Sequence, residues 1–204
     1  ESVFAYAGRD FESIGMGWLQ PIGGSELDYG KLSPLPEEVA RGAVIGALRV
    51  LGLKGRRKPN LGSEQTATNI PKVLRDYINV FAERYSTDEK VLLASMIGLL
   101  QNHGCVDSDY HVVLSRTMLV LRDESHNTIL ECERCSTKHL YPGQQICTRA
   151  NCNHQVLLDT AIVEEDDYYR WLGNQAGQRL KTAELTGQNN LDEQRKRQRL
   201  FKGV

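Results

Sequence analysis

No apolar run in the 204-residue sequence approaches the roughly 20 residues that a membrane-crossing helix needs. The first thirty residues have no basic segment followed by an apolar core, the pattern of a secretory leader. A soluble, reducing compartment, the cytoplasm, is therefore the expected setting, with no membrane partner. There is no G-x4-G-K-S/T run, so the chain has no phosphate-binding loop of that kind. Charge of one sign is not in excess either. A net charge of −1 gives the chain as a whole no strong pull on nucleic acid. Hydrophobic residues at 40% and charged residues at 25% are ordinary for a soluble globular protein.

Charge is unevenly placed along the chain. Lys54, Arg56, Arg57 and Lys58 form one basic run, Glu164 to Asp167 an acidic one, and Arg195, Lys196, Arg197, Arg199 and Lys202 crowd the end. Solvated loops and helix faces account for most such runs. If the helical region touches nucleic acid, Lys54 to Lys58 is its best candidate. The sequence opens at Glu1 without methionine and stops at Val204 after a basic amphipathic stretch. A piece of a longer polypeptide is expected to look like this, and trimming would explain the start equally well.

Residues 1–34 are rich in glycine (Gly8, Gly15, Gly17, Gly23, Gly24, Gly30) and read as loops with one or two short strands. Three helices follow. The first is expected from about Pro36 to Leu51, with Glu37 and Glu38 near the positive end of its dipole and Gly42, Ala43, Gly46 and Ala47 permitting close packing. The second starts after Asn69 as cap, with Val73, Leu74, Tyr77, Ile78, Phe81, Ala82 and Tyr85 as one apolar stripe. The third opens with Ser86-Thr87-Asp88-Glu89, a capping-box pattern, and ends near Gly104. It is apolar nearly all round and carries no arginine, which marks a packing helix rather than one that reads nucleic acid. Tyr110 to Leu121 reads as strand, Asp123 to Asn127 as turn and Thr128 to Glu131 as strand again. Three helices and a β-hairpin are the element order of a winged-helix-like unit, here residues 35–125.

The strongest chemical signal is Cys132-x2-Cys135-x11-Cys147-x4-Cys152. Each close pair can put two sulfurs on one side of a tight turn, and two such turns can close a tetrahedron around structural Zn2+. A zinc ribbon is thus expected over residues 126–160, reversing at Tyr141-Pro142-Gly143. Arg134, Lys138 and Arg149 would offset the formal −2 of four thiolates. Asn153 suits the left-handed position after the last ligand; Ser136 occupies the matching place and suits it less. His154 or His139 is an alternative ligand, a disulfide pair or redox chemistry a weaker reading, and Cys105 is most simply a buried apolar residue. So short a ribbon should draw most of its folding energy from the metal.

Residues 161–204 follow a strand that starts at Val156. They read as helix (Asp166 to about Gly173), strand (Leu180 to Leu185) and helix (Asp192 to Phe201), a partial α/β segment that makes the whole chain α+β. Leu185-Thr186-Gly187, Arg195 and Phe201-Lys202-Gly203 resemble the strand–loop–helix run of a second RecA-like lobe in superfamily 2 helicases. Asp167-Tyr168-Tyr169-Arg170-Trp171-Leu172, Ala183-Glu184-Leu185-Thr186-Gly187-Gln188 and Arg197-Gln198-Arg199-Leu200-Phe201 are similar to the large DEAD/DEAH-box helicases of bacterial phage defence, the DISARM type among them. Those also carry a cysteine ribbon before the second lobe, and Tyr6 to Asp10 with Ser13 to Leu19 has the same flavour. The resemblance implies the linker region of an ATP-dependent DNA or RNA motor, with other defence subunits as partners. ATP and Mg2+ would bind only the full-length protein, and this chain alone would not be an active enzyme. A stand-alone zinc-ribbon and winged-helix module, binding nucleic acid or protein, is the alternative.

Overall fold

The computed structural model describes residue 4 and residues 10–58, 69–122, 129–154 and 157–160. All belong to the first of two compact units, Glu1–Arg170. The second unit, Trp171–Val204, and with it the expected RecA-like elements beyond residue 160, lie outside the described residues. Within the described residues the architecture is mixed α+β, with three α-helices and small sheets.

Helix α1 (Glu37–Leu53) is the axis of the fold. Every residue from Val39 to Gly52 except Arg41 is buried, so the helix is wrapped on all sides rather than laid on a surface. Its glycines make that possible. A methyl group on Gly42 would lie 2.3 Å from the Gly143 carbonyl oxygen, and one on Gly46 would strike the Tyr77 hydroxyl. Helix α2 (Lys72–Arg84) turns Leu74, Tyr77, Ile78, Phe81 and Ala82 inward, the stripe its spacing predicts. Its N-cap is Pro71, with ψ at 135°, and not Asn69. Helix α3 (Glu89–Asn102) buries Leu92, Leu93, Met96, Ile97, Leu99 and Leu100 and is the packing helix expected.

The Ser86–Glu89 capping box does not form as the sequence suggests. Ser86 is left-handed at φ 51° and ends α2, where the Thr87 amide reaches back to the Ala82 carbonyl at 2.9 Å. With Ser86 committed to that terminus, Asp88 caps α3 by accepting from the Val91 amide at 3.0 Å. Gly104, at φ 77°, ends α3 in the same left-handed way.

The strands pair differently from a winged-helix hairpin. The strand read over Tyr110 to Leu121 breaks into β3 (Val112–Val113), a 3-10 turn at Leu114–Arg116 and β4 (Thr117–Leu121). β4 pairs antiparallel with β1 (Gly17–Pro21), Leu19 opposite Leu119. The short β2 (Arg57–Lys58) runs parallel to β3. β5 (Ile129–Cys132), expected to close a hairpin with β4, is instead the centre of a ribbon sheet between β6 (Lys138–His139) and β7 (Leu157–Thr160). β7 runs antiparallel to β5, so the strand expected to open a parallel sheet belongs to the ribbon.

Two apolar clusters tie these pieces together. The larger joins the three helices, the Leu27–Leu35 segment, Cys105, Val112 and, from the ribbon, Ile146. The smaller sets Trp18, Ile129 and Leu140 around Ile45 of α1, with Trp18 edge-on to Tyr141 at 6.0 Å. The ribbon thus packs on α1 and shares its core.

Candidate metal centre

Cys132 ends β5, and the chain folds back at once. The Ser136 amide donates to the Cys132 carbonyl at 2.8 Å, and the Cys132 amide to the Thr137 carbonyl at 3.1 Å. Ser136 takes the left-handed φ of 52° that this knuckle requires. In the second knuckle the Cys147 amide donates to the His154 carbonyl at 3.1 Å and the Cys152 amide to the Arg149 carbonyl at 3.0 Å. Asn151 and Asn153 are left-handed there, at φ 62° and 44°, as asparagine tolerates.

The four sulfurs all lie within 4.8 Å of one another. Across the two knuckles, Cys132 Sγ is 3.6 Å from Cys152 Sγ, and Cys135 Sγ is 3.5 Å from Cys147 Sγ. A tetrahedron with zinc–sulfur bonds of about 2.3 Å has edges of about 3.8 Å, so the sulfur set fits zinc. A disulfide would need about 2.05 Å, and all five cysteines are free thiols. Four sulfurs around one ion would fill a tetrahedral sphere and leave no position for a water or substrate.

The thiols are unequal before metal enters. Burial pushes Cys135 up, but hydrogen bonds from the Thr137 hydroxyl and amide, with help from neighbouring thiols, outweigh it and bring the thiol down to about 6. Burial raises Cys147, and Cys152 in the same direction. Metal binding must therefore drive protons off buried thiols. Arg149 donates to the Cys135 carbonyl at 3.2 Å and holds one knuckle against the other.

Neither histidine competes as a ligand. His154 Nε2 lies 3.8 Å from Glu133, and His139 Nδ1 lies 3.0 Å from Arg49 Nη1. Cys105 is buried as expected, its thiol raised to about 11 by burial against the pull of Arg116. A second cluster, Asp107, Asp109 and His111, is a turn: Asp107 Oδ1 accepts the backbone amides of Asp109 and His111 at 2.9 and 2.8 Å.

The basic run is divided by the fold. Arg56 is buried, Arg57 and Lys58 form β2, and Lys54 lines a cleft. That cleft, of about 650 Å3, lies between the end of α1 and both cysteine knuckles, and Asp10, Arg49, Lys54, Lys138, Thr148 and Arg149 help line it.

Beside it sits an ionic group that local sequence pattern does not reveal. Arg49 Nε and Nη2 donate to the Asp10 carboxylate at 3.0 and 3.2 Å. Nη1 faces Glu12 Oε2, the Lys138 carbonyl and His139 Nδ1, each at 3.0 Å. Glu12 Oε1 accepts the Leu140 amide at 2.9 Å. Since guanidinium has no acceptor, His139 Nδ1 must accept and the imidazole proton resides on Nε2. Arg49, set among apolar residues from Gly42 to Leu53, was the available signal.

No protein-family model matches the chain, and no curated protein or solved structure matches it. Fold and site define an α+β protein with a four-cysteine cluster suited to zinc.

Proposed function

We propose that this chain is a zinc-braced accessory region of an ATP-dependent nucleic-acid motor, a structural linker and not itself catalytic. The observation that carries the structural half is the closed set of four sulfurs within 4.8 Å. Zinc there fixes β5 and the two knuckles against α1, and a linker between moving lobes needs that stiffness. The motor half draws on the resemblance of residues 161–204, the ribbon and the opening segment to the DEAD/DEAH-box helicases of phage defence. DNA or RNA would then be the partner, other defence subunits could dock, the setting would be cytoplasmic, and the three-helix unit and a RecA-like lobe would flank the ribbon. ATP and Mg2+ would act on a lobe outside these residues.

The test is made on the full-length protein. Nucleic-acid-stimulated ATP hydrolysis should be present, and Cys132→Ser should abolish zinc and uncouple hydrolysis from nucleic acid. A flanking sequence without a phosphate loop before Glu1 would refute the motor reading. A stand-alone zinc-ribbon module is the second reading, favoured by the core that ribbon and helices share.

A further inference from the structure

We propose that the cleft between the C-terminal end of α1 and the cysteine knuckles binds the sugar-phosphate backbone of a single nucleic-acid strand, through Lys54, Lys138 and Arg149. The inference rests on the nucleic-acid reading above and moves the contact from the Lys54–Lys58 run to a surface that the sequence does not bring together.

The three cations come from two walls. Lys54 caps the end of α1, and Lys138 and Arg149 stand on the ribbon, 84 and 95 positions later by the residue numbers. Lys54 and Arg149 are exposed and Lys138 half-buried. The fourth cation in the wall, Arg49, is engaged by Asp10 and Glu12, and Asp10, the carboxylate among the lining residues, is neutralised by the same pair. Lys54, Lys138 and Arg149, the last also donating to the Cys135 carbonyl, carry +3 against the formal −2 of a filled four-thiolate site, which leaves the cleft a formal excess of +1. Lys54, on the helix opposite, is outside the knuckles.

The rest of the lining agrees with an extended polar ligand on an apolar floor. Val50, Leu53 and Val73 offer apolar surface for sugar or base. Thr148 is 2% exposed and its hydroxyl has no hydrogen-bond partner among the described residues, an orphan in the cleft wall. At about 650 Å3 the cleft is larger than one phosphate needs and lies within the ordinary range of ligand sites, roughly 300–1,000 Å3. Its concavity decides for a single strand. A duplex is read by a helix or ribbon that protrudes into its groove, and α3 is committed to the core. Without an aromatic platform among the described lining residues, recognition falls on phosphate and is tolerant of base sequence.

The experiment uses the zinc-loaded 204-residue chain and fluorescein-labelled oligo(dT), a mixed-sequence single strand and its duplex, read by anisotropy from 50 to 300 mM salt. Single strands should bind with a salt slope of about 0.7 per neutralised phosphate. Lys54→Ala, Lys138→Ala and Arg149→Ala should each reduce the slope by about that amount and weaken both sequences alike. Arg134→Ala, exposed on the first knuckle but outside the cleft, should bind as wild type, and zinc content with melting temperature confirms each fold. A triple variant that keeps the wild-type slope refutes the cleft while leaving nucleic acid as partner. Wild type that binds no strand refutes the partner as well. Equal binding of the duplex, or full displacement by millimolar inorganic phosphate, overturns the single-strand assignment.

Discussion

Arg49 and Asp10 form a two-point ion pair, Nε to Oδ2 at 3.0 Å and Nη2 to Oδ1 at 3.2 Å, with both side chains no more than 6% exposed. The pair joins three segments distant in sequence, because Glu12 and the 138–139 backbone and imidazole close on the same guanidinium. Removing one partner strands buried charge on the others, a cost of about 3–5 kcal/mol. Arg49→Ala should therefore lower stability by that order in urea unfolding, and Arg49→Lys should recover only part of it, since an ammonium cannot make the forked contact to Asp10. A loss below about 1 kcal/mol in Arg49→Ala would show that the cluster is solvated and not a tie.

Zinc removal should reach further than the ribbon. Ile129, Leu140 and Ile146, between and beside the ligands, belong to the clusters built on α1. Cys132→Ser and Cys147→Ser should each release zinc and shift one cooperative melt downward by on the order of 10 °C. Elemental analysis and calorimetry on the same samples check both halves. A melt in which the helical part keeps its wild-type temperature would mean that ribbon and helices fold separately.

The helices and the ligand set were legible because both are local. Apolar residues at three- and four-residue spacing place α2, start and stop signals between Ser86 and Gly104 place α3, and two cysteine pairs at knuckle spacing mark a cluster suited to zinc. Partner choice was not legible. β4 finds β1, about a hundred residues earlier, and nothing in either five-residue stretch specifies the other. The ionic cluster escaped for the same reason, as Arg49 is 39 and 90 positions from Asp10 and His139. At Ser86–Glu89 the local pattern was real but claimed twice, and the end of α2 took the serine.

The glycines on α1 give a test with opposite signs. Gly42 carries the closest approach of the ribbon turn, where a methyl group would sit 2.3 Å from the Gly143 carbonyl oxygen, a backbone atom. Gly42→Ala should destabilise by about 1–3 kcal/mol despite the better helix propensity of alanine. Gly98 of α3 has nothing within 4 Å of that position, so Gly98→Ala should stabilise by about 0.5–1 kcal/mol. Equal effects at the two sites would contradict the close packing of ribbon on helix.

Glu12 and His139 should give opposing pH dependences that single variants separate. Burial, reinforced by the Arg49 charge, holds His139 well below 6.5. The unfolded chain takes up a proton there that the fold refuses, so this contribution is present above pH 6.5 and is lost as pH falls. Burial holds Glu12 above its ordinary 4.5, against Arg49 and the Leu140 amide. Here the fold keeps a proton that the unfolded chain releases, so this contribution is present below pH 4.5 and is lost as pH rises through the folded value. The Glu12 slope begins above pH 4.5 and the His139 slope below pH 6.5; where the two overlap they oppose, each at most about 1.4 kcal/mol per pH unit. Glu12→Gln should leave the histidine alone and steepen the loss of stability on acidification. His139→Gln should do the reverse, leaving stability that declines as pH rises from 4.5. Zinc loss on acidification is common to all three proteins and cancels in the difference from wild type. Urea midpoints at half-unit pH steps supply those differences, and variant curves parallel to wild type across the window would mean that neither group is held in the protonation state its burial dictates.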